Sequence, residues 1–127
     1  MDYENVPNVG AQLGSASIIV IDDSVSMDWL IDKTVHFFAH ESCGKCTPCR
    51  EGTYWMRHLT ERISHGQATW DDVMLLNEVA TGIKGKNLCA LGDFSTEAVT
   101  TSIERFRGDF EAKTHAAPIN IDAKVSS

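Results

Sequence analysis

The residues of this chain whose type and spacing could do chemistry are its four cysteines. Three are packed into Ser42-Cys43-Gly44-Lys45-Cys46-Thr47-Pro48-Cys49-Arg50, and the fourth lies in Cys89-Ala90-Leu91-Gly92-Asp93. C-x2-C-x2-C followed by a long gap and one more cysteine is the spacing of a four-thiolate cluster site, with three ligands on one tight loop and the fourth brought in by the fold. Such a site moves electrons rather than transforming a substrate. A four-cysteine zinc centre uses the same side chains, but zinc sites usually pair their cysteines two and two. The run of three therefore fits a [4Fe–4S] cubane better, with zinc left as the alternative. A disulfide framework is the weaker reading, because the chain is long enough to fold without cross-links. Its opening Met1-Asp2-Tyr3-Glu4-Asn5 is acidic and polar, unlike a secretory signal or a transit peptide.

The residues around the cysteines suit an anionic cluster. Gly44 allows the backbone to turn tightly around a bulky inorganic core. Lys45 and Arg50 place full positive charges nearby, and the start of the helix expected after Cys46 adds backbone N–H groups and roughly half a positive charge. Together these favour the reduced state and raise the potential. Gly52, one turn after Cys49, is expected to leave room for the cluster. Other candidates have plainer readings. His40 suits a helix end, and His36, His58, His65 and His115 have no metal-ligand spacing. Trp29, Trp55 and Trp70 read as core or interface aromatics, and Asp22-Asp23 and Asp71-Asp72 as turn and cap residues. No nucleophile–base arrangement, GxGxxG or P-loop occurs, so no motif in this chain binds a dinucleotide or a flavin.

The elements that must position these residues are mostly helical. Residues 1–15 read as loop, and Ala16–Asp22 as an apolar strand that wants burial on both faces and neighbours in a sheet. Nothing else reads as a strand, so this one is expected to belong to a sheet outside the chain. Four amphipathic helices follow. The first covers 26–40, with Met27, Leu30, Ile31, Val35 and Phe38 as its stripe. The second covers 48–64, with Thr47 as N-cap, Pro48 at N1 and Cys49, Gly52, Met56, Leu59 and Ile63 on one face. The third starts at Thr69 and buries Val73, Leu76, Ala80 and Ile83. The fourth covers 95–112, with Val99, Ile103, Phe106 and Phe110. The fold class is mainly α, a four-helix bundle. The second and third helices are of similar length. Rising one and returning along the other, at ~1.5 Å per residue, brings Cys89 back to the level of Cys49.

The 127 residues are enough for one domain, and 43% hydrophobic residues allow a sizeable core. The net charge of −7, with no basic stripe, argues against a nucleic-acid partner. The longest apolar run, Ile18-Ile19-Val20-Ile21, is too short to span a bilayer.

The string Glu41-Ser42-Cys43-Gly44-Lys45-Cys46-Thr47-Pro48-Cys49-Arg50-Glu51-Gly52-Thr53, followed by Cys89-Ala90-Leu91-Gly92-Asp93, resembles the C-terminal region of the NADH-binding, FMN-carrying flavoprotein subunit of respiratory complex I. It is similar also to related subunits of NAD-reducing hydrogenases and NAD-dependent formate dehydrogenases. The resemblance extends from Leu13-Gly14-Ser15 and Ile18-Ile19-Val20-Ile21-Asp22 to Ile103-Glu104-Arg105-Phe106-Arg107. It implies a four-helix bundle over residues 24–112 holding one [4Fe–4S] cluster on Cys43, Cys46, Cys49 and Cys89. That cluster would accept electrons from FMN after hydride transfer from NADH and pass them to a large iron–sulfur subunit, with a thioredoxin-like [2Fe–2S] subunit as a further partner. It implies a peripheral arm on the cytoplasmic face of a bacterial inner membrane, or on the matrix side in a eukaryote. The flavin- and NADH-binding domain and most of a ubiquitin-like β-grasp domain have no counterpart here. Residues 1–23 resemble the exit from that β-grasp domain, and 113–127 are expected to form a disordered tail. FMN and NAD then belong to the missing region, and the chain alone is expected not to oxidise NADH.

Overall fold

The computed structural model describes residues 4–11, 14 and 18–115. Helix α1 spans Met27–Glu41, α2 Thr47–Ser64, α3 Trp70–Ile83 and α4 Ala90–Arg105; a short α5 covers Arg107–Glu111. Two two-residue strands, β1 (Ala68–Thr69) and β2 (Thr114–His115), pair in parallel, Ala68 with Thr114 and Thr69 with His115. The four long helices run up, down, up and down. Each end of the α2–α3 pair is marked by a contact: Arg62 at the end of α2 binds Asp72 at the start of α3 (3.0 Å), while Ile83 at the end of α3 packs over Gly52 at the start of α2. The bundle expected from the periodicity is therefore the fold observed.

The predicted stripes supply its core. Met27, Ile31 and Val35 of α1, Met56, Leu59 and Ile63 of α2, Val73, Leu76 and Ala80 of α3, Val99 of α4 and Phe110 of α5 form one buried cluster with Ala68. Helix α4 offers few apolar side chains, and its inward face is largely hydroxyl. Ser95, Thr96 and Ser102 are buried, and each hydroxyl donates back to a carbonyl of its own helix: Gly92 at 2.6 Å, Asp93 at 2.7 Å and Ala98 at 2.6 Å. That satisfies the polar groups a close-packed face would otherwise strand. The tryptophans stay out of the core. Trp29 and Trp55 are exposed, while Trp70 packs against the core and takes the Arg107 guanidinium over its ring at 4.4 Å.

Several boundaries differ from the sequence reading. Helix α2 begins one residue early, so that Cys46 is the N-cap and Pro48 the second helical residue. Helix α4 begins at Ala90, not Ser95, with Cys89 as its N-cap, and it breaks at Phe106 (φ −124°, ψ 38°). The break turns Asp109 back toward α1, where its Oδ2 accepts the Met27 N–H at 2.7 Å, and sets Phe110 into the core while Phe106 is left exposed. Of the predicted strand, Ala16 and Ser17 lie outside the described residues, and 18–22 form no ladder; Val20 is 90% exposed. A strand needs a second edge, and among the described residues the only pairing is β1 with β2. That pairing also corrects the tail, since Thr114 and His115 are held in β2; residues 116–127 lie outside the described residues.

Candidate iron–sulfur site

All four cysteines come to one end of the bundle, where the α1–α2 loop (residues 42–46) meets the α3–α4 loop (residues 84–89). The bundle topology does this, and the thiols sense one another. Burial raises the Cys49 thiol above its ordinary range, and the charges of Cys46, Cys89 and Cys43 push the same way, against the hydrogen bond with Ser42. The Leu88 backbone N–H on the Cys46 side of the site holds that thiol below its ordinary range, against the effect of burial. One loop's backbone thus reaches the other loop's cysteine. Cys49 is buried, Cys46 half-buried, and Cys43 and Cys89 exposed; all four are free thiols. Among the described residues no group of three or more His, Cys, Asp or Glu side chains is placed to hold a single metal ion.

Two helix N-termini face the site. Cys46 is the N-cap of the 18-residue α2 and Cys89 the N-cap of the 16-residue α4, both in extended backbone and neither capping its helix with its side chain. Each helix brings first-turn N–H groups and about half a positive charge to bear on whatever the thiolates hold. The first of these is expected from the sequence. The second is not, because Gly92 and Asp93 are weak helix formers that hide the start of α4.

The α1–α2 loop is shaped as expected around Gly44, whose φ of +73° is left-handed. Arg50 lies over this loop: its Nη1 donates to the Gly44 carbonyl at 2.9 Å, and its Nε pairs with Glu51 at 2.8 Å. Its charge is therefore fixed beside the cysteines and partly offset by Glu51; Lys45, like Arg50, is exposed. Ser42, which no ligand pattern singles out, places its hydroxyl 3.3 Å from the Cys49 sulfur. Gly52 has a close protein neighbour: a Cβ there would lie 2.6 Å from Ile83 Cδ1, so its smallness admits that α3 side chain. His40 sits in the last turn of α1 and contacts Glu41, in keeping with a helix-end role.

The residues present suit a cluster by their chemistry: four free thiols, two helix N-termini and an arginine, and among the described residues no acidic side chain hydrogen-bonded to a sulfur. Comparison with known proteins agrees. Residues 29–113 match the family described as the NADH-ubiquinone oxidoreductase-F iron-sulfur binding region. This chain belongs to that family. Among relatives of the iron–sulfur region, the F subunit of the NADH-quinone oxidoreductase of Streptomyces coelicolor is 40% identical over 111 residues, 87% of this chain and 25% of that protein. One of two such F subunits of Rhizobium meliloti is 42% identical over 112 residues, 88% of this chain and 27% of its own length. A solved structure of an NAD+-reducing [NiFe]-hydrogenase in the H2-reduced state aligns with a TM-score of 0.73 at 33% identity, covering 77% of this chain and 17% of that one. The chain thus spans about a quarter of the length of the curated relatives it matches. Among the described residues no helix is long and apolar enough to cross a membrane.

Proposed function

We propose that this chain is the electron-transfer module of an NADH:quinone oxidoreductase flavoprotein subunit, with Cys43, Cys46, Cys49 and Cys89 as the ligands of one [4Fe–4S] cluster lying between FMN and the iron–sulfur chain. The observation that carries this reading is the convergence of four free thiols on one bundle end faced by two helix N-termini. When bound, the cluster supplies one-electron storage and release. The chain's own residues set its surroundings. Ser42 meets Cys49, the Leu88 backbone lowers the Cys46 thiol, and Arg50 holds a positive charge over the loop. Each of these stabilises added negative charge, and so favours reduction.

FMN, NADH, the large iron–sulfur subunit and the thioredoxin-like [2Fe–2S] subunit are partners on this proposal. They are supported by the names of the relatives, which are subunits of a larger oxidoreductase. A peripheral place on the cytoplasmic face of a bacterial membrane, or on the matrix side in a eukaryote, follows from the same likeness. The exposed Ile18, Ile19 and Val20 support residues 1–23 as the exit from a preceding ubiquitin-like domain. A second reading, the same module in an NAD-reducing hydrogenase, is favoured by the structural likeness reported above, and copurifying subunits separate the two.

The test is an anaerobic preparation studied by visible and low-temperature EPR spectroscopy before and after dithionite, with iron and zinc quantified on the same sample. Roughly four irons per chain and an S = 1/2 signal on reduction are expected. A colourless protein with stoichiometric zinc would refute the electron-transfer role.

A further inference from the structure

The two loops that carry the cysteines are closed by the same device with opposite charge. Arg50, in the first turns of α2, reaches back to the carbonyl of Gly44. Asp93, in the first turns of α4, reaches back to the N–H of Gly85: its Oδ1 accepts that proton at 2.8 Å. Both glycines have φ +73°. The α3–α4 loop has the more elaborate closure. Asn87 donates its Nδ2 to the same Asp93 oxygen at 2.7 Å and to the Ile83 carbonyl at 2.9 Å, tying the last turn of α3 to the first turn of α4. Its amide lies directly over Gly92, where a Cβ would collide with Asn87 Cγ. Asn87 Oδ1 is buried and has no hydrogen-bond partner among the described residues, a cost that the fold accepts to place this side chain here. The Lys84–Glu97 ion pair brackets the loop from outside. Cys89 follows Asn87 by two residues and Leu88 by one.

We propose that Asp93 and Asn87 are positioning residues for Cys89. Resting on the cluster reading above, this assigns them the task of fixing the 84–89 loop before any cluster is bound, so that the fourth ligand is presented rather than recruited. The physical reason is entropic. A ligand on a loop already closed by its own hydrogen bonds loses little freedom on binding, and supporting groups of this kind commonly change metal affinity by about tenfold or more when removed.

The experiment compares metal-free and reconstituted protein. In the metal-free chain, amide exchange by NMR is expected to show the Gly85 N–H protected in the wild type and at least about tenfold less protected in Asp93→Ala. In the reconstituted chain, anaerobic transfer of iron to a chelator is expected to be about tenfold faster in Asp93→Ala and less affected in Asn87→Ala. Asp93→Asn, which keeps an oxygen for the Gly85 N–H, is expected to recover most of the loss. Thr69→Ala, which weakens the opposite end of the bundle, is the control. Equal acceleration of iron loss in Thr69→Ala and Asp93→Ala at matched thermal stability would reduce the pair to general structural support and overturn the proposal. A Gly85 amide unprotected in the wild type would overturn it as well. A wild type that takes up no iron while Gly85 stays protected by Asp93 overturns the cluster reading and leaves the loop closure standing. If Asp93→Ala does not fold, Asn87→Ala carries the iron-transfer comparison with Thr69→Ala, and an acceleration no greater than in Thr69→Ala overturns the proposal.

Discussion

The two ends of this bundle are built on different principles. At the end remote from the cysteines every element is tied by direct protein contacts. Asp109 caps α1 through the Met27 N–H, β1 pairs with β2, and Phe110 is 1% exposed in the core. Thr69 and Asp72 form a reciprocal cap on α3, with the Thr69 N–H donating at 2.7 Å. At the cysteine end the first turns of α2 and α4 have no side-chain cap from their N-cap residues, two of the four thiols are exposed, and the α1–α2 loop is held by an exposed arginine and a long 3.4 Å contact from the Gly44 N–H to Ser42. One end is finished by packing. The other presents donors and thiols that an anionic cluster would complete. A scaffold of this kind can hold its fold at one end while leaving the chemistry of the other to the ligand.

The contrast can be broken most sharply at the ligands. Cys89→Ser or Cys46→Ala should abolish the cluster, read as iron content falling to background and loss of the visible absorbance. In the same variants, amides of the remote end, Met27 among them, should keep their slow exchange while those of residues 43–46 exchange fast. An unchanged spectrum in Cys89→Ser would remove that residue from the ligand set. The converse variant is Phe110→Ala. It should cost about 3–5 kcal/mol in urea unfolding, with the cluster spectrum unchanged wherever the protein remains folded. A spectral change without loss of stability would show that the two ends are coupled. A smaller effect is expected from Thr69→Ala, which removes one partner of the cap on α3 and should cost about 1 kcal/mol by the same measurement. The smallest effects sharpen the electrostatics of the cysteine end. Arg50→Gln and Lys45→Gln should each lower the reduction potential followed by EPR titration. Both side chains are exposed, and the fall should be larger for Arg50, whose guanidinium is fixed on the Gly44 carbonyl. A potential that rises in Arg50→Gln would count against its role.

The four cysteines, the left-handed Gly44 and the buried stripes of α1, α2 and α3 were legible because each is a local pattern. A ligand spacing and a helical period of apolar residues do not depend on what lies elsewhere in the chain. The start of α4 was not legible, because its first turn is written in Gly92 and Asp93. These are poor helix formers locally and are chosen for contacts across the chain, one yielding space to Asn87 and the other accepting from Gly85. The break at Phe106 was hidden for the same reason, since the apolar period continues through it and only the α1 N-terminus explains why Asp109 turns back. Gly52 shows the limit from the other side. Its smallness was plain, but its neighbour, Ile83, comes from a helix that spacing along the chain does not place.

The sequence by itself therefore determined which atoms could bind a metal cluster and that helices would carry them, because thiol chemistry and apolar period are properties of residues and their immediate spacing. Only the tertiary structure decided that Cys46 and Cys89 would both stand at helix N-termini, that Ile83 would pack over Gly52, and that Asn87 and Asp93 would hold the fourth ligand's loop. Those depend on two chain segments meeting at one end of the bundle, and the energy of such a meeting lies in contacts between residues far apart in sequence.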